Sequence, residues 1–228
     1  MGQKANPNSV RLVLNKNWKS KWFSERNYTI YFLEDVFIRR FINKKLGRQA
    51  GIALINIGRD AQQVHITITT SKPGILIGRS GQGISDLSKS IEQEIQRYKS
   101  NLTFATKKLL PQIDEKNKVS QKIKIDVVEL KDPELNAVIM AQTIATQLEK
   151  RVGHRRAVKQ AINKVMQKKA RGVKVRVAGR LNGVEIARKE LFSEGSIPLS
   201  TFRSNVDFAQ ENAHTVYGII GIKVWIYR

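Results

Sequence analysis

The sequence contains no cysteine. This absence excludes disulfide bridges and thiolate metal sites, and it is what we expect of a chain that works in a reducing compartment, the cytoplasm or the interior of an organelle. Histidine is scarce as well. His65, His154 and His214 lie far apart along the chain, so the sequence predicts no zinc site and no other resident metal.

Long apolar runs are also missing. No segment approaches the roughly 20 apolar residues that a membrane-spanning helix needs. The N-terminal stretch MGQKANPNSV lacks the apolar centre of a secretory signal. Hydrophobic residues nevertheless make up 41% of the 228 residues, which is enough for a buried core in one large or two modest domains.

Acidic residues are few. Nineteen Asp and Glu face forty-one Lys and Arg, which gives a formal net charge of +22. A compact protein with this surplus repels itself, so we expect a polyanionic partner. Nucleic acid is the first candidate. An anionic membrane is disfavoured by the lack of apolar runs, and no motif indicates a cofactor or a small-molecule substrate.

Apolar periodicity predicts an α+β fold in two domains. In the first half we expect a helix from Glu34, two strands, a glycine loop, a helix, a loop or insertion at 101–121 and a further strand. Asp132 and Pro133 mark the boundary, with Asp132 as a helix cap. Two helices follow, the second at 154–169, and then strands with a hairpin at Asn182-Gly183 and an irregular stretch at 190–210. The expected domains are a basic N-terminal extension at 1–34, a first domain at 35–131 and a second at 132–228.

The N-terminal extension mixes cations with aromatic residues, among them Trp18, Trp22 and Phe23. Two interpretations are open. The aromatic side chains can dock on the main body of the protein, or the segment can lie along phosphates and stack on bases. Both can hold together.

The glycine loop, Gly78-Arg79-Ser80-Gly81, stands between an apolar turn and an apolar-striped helix. Its spacing fits neither a dinucleotide-binding loop nor a P-loop. A structural turn is one interpretation. The other is RNA binding, because glycines let the main chain approach a sugar–phosphate backbone and KH domains use a GxxG loop in this way. The order of the flanking elements favours an RNA-binding KH domain.

The second helix after the boundary is strongly basic. Between Lys150 and Arg171 there are nine Lys and Arg and no acid. Helical geometry places Arg155, Arg156 and Lys159 on one flank of its apolar stripe, and Lys164 and Lys168 on the other. A solvated helix face is the plain interpretation. The clustering favours a ridge that faces phosphates, because like charges at this spacing destabilise an isolated helix.

Several blocks of the sequence resemble one known family. They are MGQK at the start, KPGILIGRSG, QLEKRVGHRRAVKQA, GRLNGVEIAR, EGSIPLSTFR and HTVYGIIGIKVWIY. In this order they are similar to the bacterial-type third protein of the small ribosomal subunit. The resemblance implies an N-terminal type II KH domain followed by a second α/β domain, in which two helices pack on a mainly antiparallel sheet.

The resemblance also implies a function and its residues. It implies a structural protein of the small-subunit head that binds rRNA, touches neighbouring head proteins, lines the mRNA entry channel and assists passive unwinding of mRNA without being an enzyme. Arg155, Arg156 and Lys159 then face the incoming mRNA. Lower-ranking candidates for rRNA binding are Lys4, Arg11, Lys16, Lys19, Lys164, Lys168, Arg171, Lys174, Arg176 and Arg180. Ser193 and Ser196 stand where the family often has arginine, which puts phosphate contacts there in doubt.

Two other functions remain as alternatives. An enzyme acting on nucleic acid needs a clustered general base, metal carboxylates or an activated lysine, and the sequence shows no such constellation. A free regulatory KH protein that binds single-stranded message would not need the N-terminal block or the second domain.

Overall fold

The computed structural model describes residues 4–25, 27–60, 63–106 and 122–228. In the third range it describes side chains only as far as residue 98. These residues form two compact units. One is Lys19–Glu129, and the other joins the chain up to Trp18 with Leu130–Arg228. No helix in the described ranges is long and apolar enough to cross a bilayer.

The Lys19–Glu129 unit is a four-stranded sheet with helices. Its elements are β1 (Ser20–Lys21), α1 (Tyr28–Leu46), β2 (Ile52–Arg59), β3 (Gln63–Thr70), α2 (Pro73–Ile77), α3 (Gln82–Thr106) and β4 (Lys122–Glu129). The strand order is β1-β2-β3-β4. The central pair β2 and β3 is antiparallel, and the two outer pairs are parallel.

Alternating β-branched residues build the core of this unit. Val64, Ile66 and Ile68 of β3 are buried, and they share one cluster with Ile38 and Ile42 of α1. Side chains on a strand alternate between the two faces of the sheet, so every second residue of β3 reaches this core. The strands and the helical stripe expected in this half of the sequence are confirmed.

The beginning of α1 differs from the expectation. The helix starts at Tyr28 rather than Glu34, because its first turn is held by aromatic packing: the ring of Trp22 lies 5.4 Å from that of Tyr28 and 5.7 Å from that of Tyr31. The expected loop at 101–121 is wrong for its first six residues, since α3 continues to Thr106. Residues 107–121 lie outside the described ranges.

The second unit is a two-layer domain. Its elements are α4 (Ala137–Glu149), α5 (His154–Gln167), β5 (Gly172–Gly179), β6 (Arg188–Gly195), β7 (Val206–Thr215) and β8 (Gly218–Tyr227). The strand order is β6-β5-β8-β7, and every neighbouring pair is antiparallel. One face of the sheet packs against both helices in a single hydrophobic core. The expected pair of helices on an antiparallel sheet is confirmed.

Residues 4–18 belong to this second unit and not to a separate extension. Arg11 is fully buried there, and Asn8 donates a side-chain hydrogen bond to the carbonyl oxygen of Phe208 on β7. The extension expected at 1–34 therefore divides: its first part joins the second unit, and the rest supplies β1 and the beginning of α1 to the first. Trp22 docks, while Trp18 and Phe23 are exposed.

Two local expectations in the second unit need correction. The cap of α4 is Asn136, whose side chain accepts from the amides of Val138 and Ile139. Asp132 precedes a 3-10 turn and makes no side-chain cap. The stretch 190–210 is irregular only at residues 196–205, because β6 ends at Gly195 and β7 begins at Val206. Charged residues on the edge strand β6 conceal the alternation that reveals buried strands. The hairpin around Asn182-Gly183 is confirmed as the connection between β5 and β6.

Candidate nucleic-acid interface

The glycine loop joins α2 to α3 through three residues with positive φ. The angles are +65° at Gly78, +52° at Ser80 and +80° at Gly81. Two of these positions suit glycine, which has no Cβ to clash in this region. A Cβ on Gly78 would lie only 3.1 Å from the backbone nitrogen of Gly83. Arg79 and Ser80 are exposed at the tip, so the loop offers a bare main chain with one cation.

The surroundings of the loop explain a third glycine and add apolar surface. A Cβ on Gly83 would lie 2.5 Å from the carbonyl oxygen of Leu76, so this glycine permits close packing of α3 on α2. Ile75 and Ile77 of α2 are 52% and 39% exposed, and Val128 of the neighbouring edge strand β4 is 47% exposed. Apolar side chains beside a glycine loop give a surface on which bases can lie while the main chain faces phosphates.

The basic ridge is built by α5. Ala157, Val158, Ala161, Ile162 and Val165 of this helix are buried, which confirms the apolar stripe. The side chains of Arg155, Arg156 and Lys159 are exposed on one flank, as helical spacing predicts. We call these three residues the α5 ridge. Among the described residues, no carboxylate forms an ion pair with Arg156 or Lys159.

Arg155 does have an acidic partner, which the sequence did not reveal. Its Nη2 and Nε donate to the two carboxylate oxygens of Glu190 on β6, at 3.3 and 3.4 Å. Hydrogen bonds from Arg155 and then from His154 lower the pKa of Glu190 below its ordinary value. The same contact raises the pKa of Arg155. The absence of acids within α5 gave no sign of this pair, because the counter-charge comes from a strand.

Buried His154 anchors this carboxylate. Its Nε2 lies 3.0 Å from Oε2 of Glu190, and its Nδ1 lies 3.0 Å from Oδ1 of Asn182. One side chain at the start of α5 thereby connects β6 with the turn that follows β5. The three residues line a shallow depression of about 460 Å³, which Arg156 and Arg188 border with positive charge.

Several further cations are accessible, as a phosphate contact requires. Lys4, Lys19, Lys164 and Lys168 are exposed. Lys168 has a weak partner, with its Nζ 3.8 Å from Oδ1 of Asp132. These four remain candidates for rRNA binding.

Arg11 is not a surface cation. It is 0% exposed, and its guanidinium donates to backbone carbonyl oxygens of Pro7, Pro198, Leu199, Thr201 and Ser204 at 2.9–3.3 Å. A group closed to solvent on all sides cannot reach a phosphate. Its expected role in binding rRNA is therefore wrong, and its role is to hold the N-terminal segment against the 198–204 loop.

Lys16 and Arg180 also form hydrogen bonds within the protein. Lys16 donates to Asp207 at 2.7 Å. Arg180 donates to the carbonyl oxygens of Val184 and Tyr217 at 3.0 and 3.3 Å, and its guanidinium lies 5.9 Å from the Tyr217 ring. Both cations chiefly stabilise loops, which weakens the expectation that they contact rRNA.

The remaining candidates for rRNA binding lie on or just before strand β5 of the second unit. Lys174 and Arg176 alternate with buried valines of β5, so they point to the face opposite the helices. Lys174 lies 5.9 Å from the Trp225 ring, and burial, followed by the charge of Lys4, lowers its pKa. Arg171 is exposed and donates to the hydroxyl of Tyr227 at 3.1 Å. These partners orient Lys174 and Arg171 without removing either from the surface.

Within the described residues, no group of three or more His, Asp or Glu side chains is placed to hold a metal ion. The Lys19–Glu129 unit presents a bare glycine loop with apolar flanks, and the second unit presents the α5 ridge and surface lysines. Each of these features is suited to holding a polyphosphate strand.

Comparison with known proteins identifies families of RNA-binding and ribosomal proteins. Residues 37–135 match the KH domain family, and residues 144–226 match the family described as ribosomal protein S3, C-terminal domain. The chain is 43% identical to small ribosomal subunit protein uS3 of Pelotomaculum thermopropionicum, over 100% of this chain and 88% of the relative. The protein of the same name from Desulforamulus reducens is 42% identical, over 100% and 92%. The chain belongs to the uS3 family.

Membership of the uS3 family confirms the resemblance seen in the sequence blocks and the order of an N-terminal KH domain and a distinct C-terminal domain. A third relative, uS3 of Ligilactobacillus salivarius, is 40% identical over 100% of this chain and 93% of its own length. The family consists of structural ribosomal proteins. The interpretation of the chain as an RNA-binding ribosomal component, and not an enzyme, is confirmed by this membership.

Proposed function

We propose that this uS3-family chain lines the path by which mRNA enters the small ribosomal subunit and assists the opening of structured message. The α5 ridge is the part that meets the mRNA. The glycine loop and the exposed lysines bind rRNA and fix the protein in the subunit head beside its neighbouring proteins. The ribosome in question is cytoplasmic or organellar.

The observation that supports this proposal is the exposure of three cations on one flank of one helix. Arg155 and Arg156 lie in the first turn of α5 and Lys159 in the second, with about 1.5 Å of rise per residue. The helix is fixed by its buried stripe, so the three charges are held in a row and cannot disperse. A row of fixed cations attracts a nucleic-acid backbone whatever its sequence. A surface along which all messages pass requires this lack of sequence preference.

The mechanism that follows is passive. Base pairs at the end of an mRNA hairpin open and close thermally, and a surface that binds the opened strand better than the paired one shifts that equilibrium towards opening. The ridge provides this differential affinity through phosphate contacts. Movement of the message by the ribosome then supplies the direction, so that the chain itself hydrolyses no nucleotide.

Replacing Arg155, Arg156 and Lys159 together with Ala is expected to slow translation through a stable hairpin several-fold while unstructured messages are read at the normal rate. Because the variant loses the phosphate contacts of Arg156 and Lys159 and those of the partly paired Arg155, the slope of log affinity against log salt for single-stranded RNA should fall by about 1.4–2 in the isolated protein. Reconstituted subunits carrying the variant, timed on paired messages with and without a hairpin, provide the measurement.

A matched control removes three charges from the opposite flank and the end of the same helix. It consists of Lys164→Ala, Lys168→Ala and Lys169→Asn, the last because Lys169 has a φ of +61° that asparagine tolerates. In assembled subunits this control should leave the ratio of hairpin to unstructured rates unchanged. Equal rates for the ridge variant and the native protein on hairpin messages would exclude the proposed role in unwinding.

The glycine loop gives a separate prediction. Arg79→Asp combined with Ser80→Asp is expected to reduce the affinity of the protein for single-stranded RNA at least tenfold, because carboxylates at the tip repel the phosphates that the loop admits. The melting temperature should hardly change. Both side chains are exposed, and aspartate tolerates the positive φ of Ser80. Filter binding and thermal unfolding are the two measurements.

The control for the loop has the same change in charge elsewhere in the KH domain. Lys89→Glu with Gln93→Glu alters two exposed residues of α3, roughly 10 Å or more along the helix from the loop. It should weaken binding far less than the loop variant. If both variants weakened binding equally, the loop would have no special role beyond the total charge.

A further inference from the structure

The carboxylate of Glu190 contacts the α5 ridge at one of its three positions. Glu190 lies on the edge strand β6, and its two oxygens accept hydrogen bonds from Arg155 at 3.3 and 3.4 Å. Arg156 and Lys159 make no such contact with any described carboxylate. The ridge thus carries two unpaired cations and one that is already partly neutralised.

The bond between Glu190 and Arg155 has the properties of a contact that a phosphate can displace. The side chain of Arg155 is 72% exposed, so water and salt screen the attraction. Both distances exceed the 2.7–2.9 Å that is typical of strong charge-assisted hydrogen bonds. An exposed guanidinium can turn towards an incoming phosphate without losing a buried partner.

Glu190 itself is held in place from the other side. Its Oε2 lies 3.0 Å from Nε2 of His154, whose side chain is 6% exposed. His154 is fixed in turn by Asn182 at 3.0 Å. When Arg155 leaves, the carboxylate therefore stays beside the ridge and is ready to receive the guanidinium again.

We infer that Glu190 competes with RNA phosphates for Arg155 and so weakens the grip of the ridge on a moving strand. This inference rests on the proposed function of the ridge. A path along which a polyanion moves has to bind each phosphate strongly enough to admit it and weakly enough to release it, as in ion channels. A fixed carboxylate at one of three cations limits the residence of the strand without removing the attraction.

Glu190→Gln in the full chain tests the inference with a short single-stranded RNA as the probe. The variant should bind this RNA about two- to fivefold more tightly, which is the range of an exposed ion pair. The slope of log affinity against log monovalent salt should steepen by no more than about 0.7, the value of one full phosphate contact to a single strand, because Arg155 is only partly neutralised in the native protein. In an Arg155→Ala background the same change at Glu190 should have no effect.

Glu190→Ala provides a second variant, since the amide oxygen of glutamine can still accept a hydrogen bond from Arg155. The matched control is Glu194→Gln, an exposed acid on the same strand, about 13 Å away along β6. It changes the net charge equally, and it should leave the affinity nearly unchanged at about 0.15 M salt, where charges beyond about 8 Å are screened.

The outcomes are distinct. Weaker RNA binding by Glu190→Gln would mean that the carboxylate orients Arg155 for RNA, and it would overturn the inference. Equal tightening by Glu194→Gln would do the same, because net charge alone would then explain the effect. If the triple ridge variant loses affinity while Glu190→Gln changes nothing, this inference fails and the proposed function stands. If the triple variant also binds RNA normally, both fail.

Discussion

Arg59→Met is expected to destabilise the Lys19–Glu129 unit by about 3–5 kcal/mol, which is the cost of removing one partner from a buried ion pair. Arg59 donates to Asp35 at 2.7 and 2.9 Å and to Glu34 at 2.7 Å. All three side chains are at most 3% exposed. Without the guanidinium, two carboxylates in the second turn of α1 would be left buried with their main cation gone.

The loss should spread to the neighbouring strand. Asp35 also accepts hydrogen bonds from Ser20 of β1 at 2.7 Å and from the indole of Trp22 at 2.8 Å. The Arg59 network thus connects β1, α1 and β2. Urea unfolding, followed by hydrogen exchange of peptides from residues 19–59, measures both the loss of free energy and its location.

Two companion variants show whether buried charge is the cause. Arg40→Met removes an equal charge from an exposed position of α1 and should cost less than about 0.5 kcal/mol. Adding Glu34→Gln and Asp35→Asn to Arg59→Met should recover a substantial part of the loss, because neutral amides have a smaller desolvation cost than carboxylates. A failure of this rescue would show that packing of the Arg59 side chain on Tyr31, 4.8 Å away, is the larger effect.

Periodicity predicted the parts of the fold in which one face is apolar. Val173, Val175 and Val177 alternate in the sequence and are buried in β5, since a strand exposes every second residue to the same face. The α5 ridge was predicted for the same reason: once Val158 and Val165 fix the buried side of a helix, the positions of its other residues follow from 3.6 residues per turn.

Elements held by polar contacts were not predicted. The second turn of α1 contains buried Glu34 and Asp35, which look like surface residues until their partner Arg59 is seen on another element. In the edge strand β6, apolar Leu191 is exposed and charged Glu190 is partly buried, so the strand shows no apolar alternation. Burial of charge depends on partners distant in sequence, and no local pattern records it.

The residues of the candidate site likewise fall into those that local spacing predicts and those that depend on distant partners. The cations of the ridge and the glycine loop could be predicted from local spacing. Glu190 could not, because it lies 35 residues after Arg155 and its carboxylate reaches α5 only through the pairing of β6 with β5. Arg11 shows the opposite error. A basic residue in a basic segment predicts a phosphate contact, but the charge of Arg11 is used inside the protein.

Arg11→Lys is expected to destabilise the unit containing Leu130–Arg228 by about 2–4 kcal/mol even though the charge is kept. Lysine has three donors on a flexible stem, whereas the planar guanidinium directs five. Arg11 serves carbonyl oxygens on two separate segments, at Pro7 and at 198–204. Each buried carbonyl left without a donor costs about 1–3 kcal/mol, and relaxation around the smaller ammonium recovers some of this.

The damage should be local at first. Asn15 also binds the carbonyl oxygens of Phe202 and Arg203, at 3.2 and 2.9 Å, so the whole N-terminal segment depends on the geometry that Arg11 imposes on this loop. Hydrogen exchange should rise in residues 6–16 and 198–204 before it rises in β5 or β8. Thermal unfolding of the isolated protein gives the total effect.

Arg203→Met is the matched control, because Arg203 is an exposed cation on the same loop. It should change the stability by less than about 0.5 kcal/mol, because an exposed cation has no buried partners to lose. The two substitutions thus separate the two uses of arginine in this protein. An Arg11→Lys variant that folds as stably as the native chain and loses only RNA affinity would contradict this prediction and restore Arg11 to the interface. A buried guanidinium cannot lose its set of hydrogen bonds without weakening the fold.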